Sequence, residues 1–369
     1  MGKHKKNGPI PSLHVNVEPI IAMGEPYKIE VGDFESASQK EKEDFIQSRE
    51  SVSYWKDAIR RLKKNKISMA AFFVIILIIL FSFVGPFFVE YDYAQQVRDA
   101  GNLAPFEYSE KEQAAIAAGE KVFPHIFGTD GQGRDILIRT MEGTKISLII
   151  GVTASLLVLV IGATYGAISG YFGGRLDSIM MRIVEVIYAI PAILVVLLLS
   201  TSLKPALSQY AANNKGQFLG GLVERLGPSL IAIFVAFAIL YWVGMARIIR
   251  GQVLQLKQQE YVLAAKALGA SSGKIIRKHL LPNCIGQIIV NTCLQIPAAI
   301  FLESFLSFLG NGVQAPMTSL GSMASDALGG MYTYTYRLII PAIILSVMIL
   351  ALNLFGDGLR DALDPRLKK

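Results

Sequence analysis

Few residues in this chain could do chemistry, and each candidate constrains what that chemistry can be. Only two cysteines occur, Cys284 and Cys293. Nine helical residues turn about 900° and rise roughly 13 Å, too far for a disulfide. They read as small core residues, and no His/Cys cluster has metal-ligand spacing. The stretch Phe127-Gly128-Thr129-Asp130-Gly-Gln-Gly133-Arg134-Asp135 is glycine-rich. It neither follows a strand nor has the Gly-x-x-x-x-Gly-Lys-Ser/Thr spacing that cradles phosphates. No ATP site is expected, and any energy source must come from a partner. Two acids fall in apolar segments. Glu185 lies three residues from Arg182, where a local ion pair would satisfy both. Glu303 has no basic residue close in sequence. An ionisable group inside a membrane faces a cavity or a partner helix. Glu303 therefore either lines a path or makes a structural hydrogen bond at a subunit interface.

The densest pattern is Glu260-Tyr261-Val-Leu-Ala264-Ala265-Lys-Ala-Leu-Gly269-Ala270, followed by His279-Leu-Leu281-Pro282-Asn283. Tyr261 to Leu268 are mostly good helix formers. Gly269 suits a left-handed turn that ends the helix. Ser271-Ser272 can cap the next helix, and Pro282 can stop it and start the following element. Ala264 and Ala265 present little side chain, so a partner surface can approach closely. A mere linker does not need some 30 residues. The segment reads as a docking surface for a soluble partner.

The elements that hold these residues are membrane spans. The chain is 52% hydrophobic, and its apolar residues are bunched into blocks. Blocks of about 20 residues match a ~30 Å hydrocarbon core, whereas a soluble fold spreads them in periodic stripes. The fold class is an all-α membrane protein with six spans, near 67–89, 146–169, 178–201, 229–249, 284–309 and 338–356. Pro191 and Pro297 interrupt two of them, either as kinked gates or as bends absorbed by packing.

An even number of spans puts both ends on one side. Residues 246–281 carry seven basic residues against one acid, and both ends of the membrane region are basic. Positive charge favours the cytosol, so both termini are expected there. The 90–145 loop, with ten acids against six bases, is then external. Arg134, Arg139 and Lys145 run against that bias. Within the loop, Glu110 to Gly119 reads as a helix. The net charge of +7 sits in the cytosolic segments, without a basic stripe carrying interleaved aromatics, so nucleic-acid binding is not expected. No cleavable signal peptide is expected, since the first apolar block starts near Ile67.

Residues 1–52 read as a flexible cytosolic tail. From 53 to 66, Trp55, Ile59 and Leu62 recur at helical spacing, with Lys56, Arg60, Lys63 and Lys64 on much of the other side. That is an amphipathic helix suited to the membrane interface.

Several segments resemble one family, the C-type permease subunits of oligopeptide, dipeptide and nickel ABC importers. Tyr54 to Lys66 is similar to its elbow helix, and Gly128-Thr-Asp130 with Gly133-Arg134-Asp135 to its signature before the second span. Glu303 to Gly312 is similar to its motif ending the fifth span, and 260–283 to its EAA loop. The general EAA pattern would put glutamate at Leu263 and isoleucine at His279. Here the glutamate is Glu260, one turn earlier, as in the peptide-importer branch. The resemblance runs from about residue 53 to the end, with much of 90–120 falling outside it. It implies the type I importer fold, with 250–283 as a coupling loop that transmits ATPase motion to the spans. It implies a bacterial plasma-membrane protein paired with a homologous permease subunit. Two ATP-binding subunits, which use ATP and magnesium, would bind below, and an extracellular peptide-binding protein would deliver substrate from above. The chain itself would bind no cofactor.

Overall fold

A computed structural model describes residues 53–214 and 216–363. The expected tail over 1–52 lies outside the described residues. The described chain is helical; among its residues the only β-pairing is an isolated bridge between Thr129 and Asp135. The amphipathic helix is α1 (Tyr54–Lys64). Asn65 then caps α2 (Lys66–Phe83), its Oδ1 accepting from the Ser68 N–H at 3.2 Å. Helix α3 (Glu110–Ala117) opens with a capping box between Ser109 and Glu112. Asp135 caps the 37-residue α4 (Ile136–Phe172), and α5 (Gly174–Ala189) follows after one residue. Next come α6 (Ala192–Asn213), α7 (Phe218–Leu226), α8 (Pro228–Leu240) and α9 (Trp242–Leu256). The 250–283 region carries α10 (Glu260–Ala267) and α11 (Ser272–Ile275). Finally there are α12 (Ile285–Phe308), α13 (Leu320–Ala327) and α14 (Tyr336–Leu363).

Among the described residues, six helical rods are long and apolar enough to cross a membrane: α2, α4, α6, α8 with α9, α11 through α12, and α14. The third differs from its sequence expectation. Residues 178–201 are not one span, because the helix breaks at Ile190-Pro191. Proline clashes with a helical residue before it, and Ile190 is extended at φ −82°, ψ 131°. Helix α5, with 16 residues, rises only about 24 Å at 1.5 Å per residue. The span-length helix is α6. The second span starts ten residues earlier than 146, at Ile136. The charges of Arg139, Glu142 and Lys145 hid it in sequence. The first span stops at Phe83, where Pro86 opens a 3₁₀ turn over Gly85–Phe88. Pro297, by contrast, is buried within the continuous α12.

Helix α4 is the central post, with its most extensive contacts to α9 and α12. Small residues let it sit against backbone. A Cβ on Gly166 would fall 2.3 Å from the Ala246 carbonyl oxygen, and one on Gly162 would fall 2.8 Å from that of Trp242. On Gly170 it would meet the Arg250 carbonyl oxygen at 2.9 Å. This i, i+4, i+8 glycine stripe is the membrane solution to helix association, where dispersion between close backbones replaces a hydrophobic drive. Around it Ile233, Phe237, Ile249, Val253 and Leu306 are fully buried.

Candidate functional site

The loop between α9 and α12 is built for exposure. Gln259 starts α10, and Val262 is its one buried residue. Glu260, Tyr261 and Ala264 are exposed, and Ala265 is half-buried. Gly269 turns the chain at φ +78°, with nothing within 4 Å of a built Cβ. Ala270 packs at the edge of the core. Ser271 occupies the cap position of α11, but its side chain makes no capping hydrogen bond. Lys274, Arg277 and Lys278 are exposed beyond it. The surface is an apolar helix next to a basic one.

Pro282 does not stop the second helix as expected. The chain passes through a π turn, Ile276–Leu280, and a 3₁₀ turn, Leu281–Cys284, straight into α12. Proline has no N–H to donate back to Lys278. The wider turn absorbs that loss, with the Leu281 N–H bonding to the Ile276 carbonyl. The Asn283 side chain donates to the His279 carbonyl at 2.6 Å. The ring of His279 lies 6.5 Å from that of Tyr261, linking the two arms of the loop.

At the α4 start, the glycine-rich motif is a brace and not an open cradle. Gly128 and Gly133 have φ of +75° and +72°, and a Cβ would lie 2.3 Å from the Leu103 carbonyl oxygen and 1.9 Å from that of Val97. Only glycine allows both the turn and the approach. Thr129 stitches the motif to the preceding segment: its N–H donates to Leu103 O, and its Oγ1 accepts from Leu103 N at 2.8 Å while donating to Ala100 O. One oxygen of Asp130 accepts from the N–H groups of Gln132 and Arg134, the other from the guanidinium groups of Arg134 and Arg139 at 2.6 Å each. Asp326 of α13 also takes Arg134 and Arg139, at 3.2 and 3.1 Å. The basic residues that ran against the charge bias are thus paired within the chain, as is Lys145 with Glu142.

Asp135 has two tasks. Its Oδ1 caps α4 through the Ile138 N–H at 3.0 Å, and its Oδ2 meets His125 Nδ1 at 2.8 Å. The other ring nitrogen of His125 meets Glu112 at 3.1 Å, and the ring stacks on Tyr91. Burial alone would lower the His125 pKa; the hydrogen bonds and charges of Asp135 and Glu112 outweigh it and raise the value. Glu112 is pulled below its usual range, because the Ser109 N–H and hydroxyl and His125 outweigh its burial.

Glu303 is fully buried within the chain and does not reach an open surface. Ser147 of α4 donates to it at 2.8 Å, Ser307 at 2.7 Å and Ser304 at 3.3 Å. Ser307 Oγ in turn accepts the Val313 N–H. The carboxyl ties α4 to α12 and to the chain beyond it. Neither a path-lining role nor a subunit contact is needed to satisfy it. Glu185 pairs with Arg182 at 3.3 Å, both on an exposed face. Pro191 is exposed at the α5–α6 break.

Sequence reasoning missed Ser147, His125, Asp177, Arg250 and Asp326. The partners of Ser147, Asp177, Arg250 and Asp326 lie far along the chain, and those of His125 lie 10 and 13 residues away across loop and turn, so helical spacing carried no signal. The excess basic charge at Arg134 and Arg139 was the one hint that acids must converge there.

Two families of known sequence match in register. The N-terminal TM domain of oligopeptide transport permease C covers residues 53–105. The binding-protein-dependent transport system inner membrane component covers residues 162–369. The chain belongs to this family of transport-system inner-membrane components. It is a multi-pass membrane protein and a component of a transport system. It is 45% identical over 332 residues to the dipeptide transport system permease protein DppC of Bacillus subtilis (strain 168), covering 90% of this chain and 92% of that one. It is 42% identical over 347 residues to the oligopeptide transport system permease protein OppC of the same organism, covering 94% and 98%. Its fold is similar to that of an inward-facing MetNI methionine ABC transporter at TM-score 0.43 and 18% identity, over 61% of this chain and 96% of that chain.

Proposed function

We propose that this inner-membrane component is one permease subunit of an ATP-driven ABC importer for peptides. The 42–45% identity to dipeptide and oligopeptide permeases over at least nine-tenths of the chain carries the substrate class. The exposed α10, the left-handed turn at Gly269 and the basic α11 support docking of one of two ATP-binding subunits, the other meeting the homologous permease subunit. A homologous permease subunit completes the path, and an extracellular binding protein delivers peptide. ATP and magnesium act in the partner subunits. Both termini and the 250–283 loop face the cytosol of a bacterial plasma membrane; the 90–135 and 311–335 loops lie outside.

A deletion strain tests the substrate. It should lose uptake of labelled di- or oligopeptides while keeping nickel uptake, and the wild-type chain should restore it. Unchanged peptide uptake would overturn the assignment. Orientation is tested with single cysteines at the exposed positions Glu120 and Ser271 after replacing Cys284 and Cys293. An impermeant reagent on intact cells should label Glu120→Cys and spare Ser271→Cys; the reverse would invert the topology.

A further inference from the structure

The two arms of the 250–283 loop differ in stiffness. On the α12 side, the π turn and the 3₁₀ turn interrupt the regular ladder, and such turns mark places where a helix bends. On the α9 side, only Lys257, Gln258 and Gln259 separate α10 from the end of α9. Helix α9 lies backbone to backbone on α4 along the glycine stripe. Lys257 Nζ donates to the last α4 carbonyls, Gly170 O at 2.8 Å and Tyr171 O at 3.4 Å. A push on α10 therefore passes into α9 more directly than into α12.

Helix α9 holds α5 at two points. Asp177, buried in the first turn of α5, receives Arg250 in a two-pronged pair, Nε to Oδ1 and Nη2 to Oδ2, each 2.6 Å. Ser169 of α4 donates to the same carboxylate. One helical turn before Arg250, Arg247 lies 4.2 Å from the centre of the Tyr188 ring, at the far end of α5. Besides these contacts α5 seats Val184 in the core, with Met181 and Ile187 against it, and the Tyr165 hydroxyl of α4 donates to the Met180 carbonyl at 2.8 Å; its other face, with Ile179, Ile183 and Val186, is exposed. It leads into α6 through the extended break at Ile190-Pro191.

We propose that Asp177–Arg250 and Tyr188–Arg247 form a two-point grip, a pair of positioning contacts by which displacement of α10 moves α5 and swings α6 about Pro191. This rests on α10 being a docking surface for ATP-hydrolysing subunits. A bidentate guanidinium–carboxylate pair fixes direction as well as distance, and a cation over an aromatic face adds a second fixed point. Together they prevent α5 from rotating about a single tether.

The test uses the whole transport complex in proteoliposomes, with ATP hydrolysis and labelled-peptide uptake measured side by side. Asp177→Asn and Tyr188→Leu should each retain the ATP-hydrolysing subunits and keep hydrolysis near wild type. Peptide delivered per ATP should fall about tenfold, within the range typical of coupling between separate sites. Asp177→Glu, which keeps the charge, should recover part of it. Tyr188 is largely exposed, so its variant is scored even where Asp177→Asn fails to fold. An unchanged peptide-to-ATP ratio in Tyr188→Leu, or hydrolysis and uptake falling in equal proportion, would overturn the proposal. A wild-type complex that retains no ATP-hydrolysing subunit would overturn the docking reading itself, and the grip with it.

Discussion

A carboxyl group inside a membrane span is costly unless its oxygens are occupied. Glu303 meets that condition with serine hydroxyls from two helices. Its removal strands those donors, each at about 1–3 kcal/mol when buried. Glu303→Leu should therefore lower the apparent Tm of the purified protein and its level in the membrane, with uptake falling in proportion. Glu303→Gln, which keeps an acceptor oxygen, should be milder. A Leu variant of normal stability but lost uptake would return the residue to the transport path. His125 makes a second residue-scale case. Its raised pKa means that its stabilising contribution is complete below the ordinary histidine value and lost as pH rises through the raised one. Glu112, with its pKa lowered, contributes above the ordinary glutamate value and loses this as pH falls. Amides of Glu110–Ala117 should thus exchange slowest between these limits, after correction for intrinsic rates. His125→Ala should abolish the alkaline loss of protection; a wild-type profile flat with pH would contradict the pairing.

Helices in this chain are positioned by small residues as much as by apolar ones. Gly166→Leu would force a side chain into the Ala246 backbone, and overpacking costs about 1–3 kcal/mol or more where backbone cannot move. The apparent Tm of that variant in detergent should drop by several degrees, while Gly251→Leu, where nothing lies within 4 Å of a built Cβ, should be tolerated. Equal stability of the two would mean that α4 and α9 are not in backbone contact. Element types were readable because apolar blocks and caps act locally: the amphipathic α1, the capped α3 and the turn at Gly269 follow from residues within a few positions. Boundaries were less readable. Arg139 and Lys145 look like loop residues until Asp130, Asp326 and Glu142 are seen to neutralise them. Pro191 and Pro282 look alike in sequence, yet one breaks a helix and the other is absorbed by a π turn. The sequence around each does not reveal which carbonyls a neighbour will satisfy.

At the scale of the molecule, charged clusters sit at the two ends of the helical rods. Arg134, Arg139, Arg337, Asp130 and Asp326 hold one end through contacts from the chain before α4, α13 and the start of α14. Asp177, Arg250 and Lys257 hold the other, beside the exposed loop. The exposed 250–283 loop was the more legible feature, because its residues are consecutive in sequence. The braces behind it join positions tens to hundreds of residues apart. The central claim is that α10 and the turn at Gly269 receive an ATP-hydrolysing partner. Gly269 has open space around it but a φ of +78°, which costs a residue with a Cβ about 1 kcal/mol. Ala265 is half-buried on α10, and a carboxylate enclosed by a partner there without a cation costs several kcal/mol. The deciding measurement is recovery of ATP-binding subunits with the tagged, membrane-extracted chain. Wild type should retain them, while Ala265→Asp and Gly269→Asp, present at normal levels in the membrane, should lose most of them. Full recovery with both variants would show the loop to be a passive connection and contradict the account.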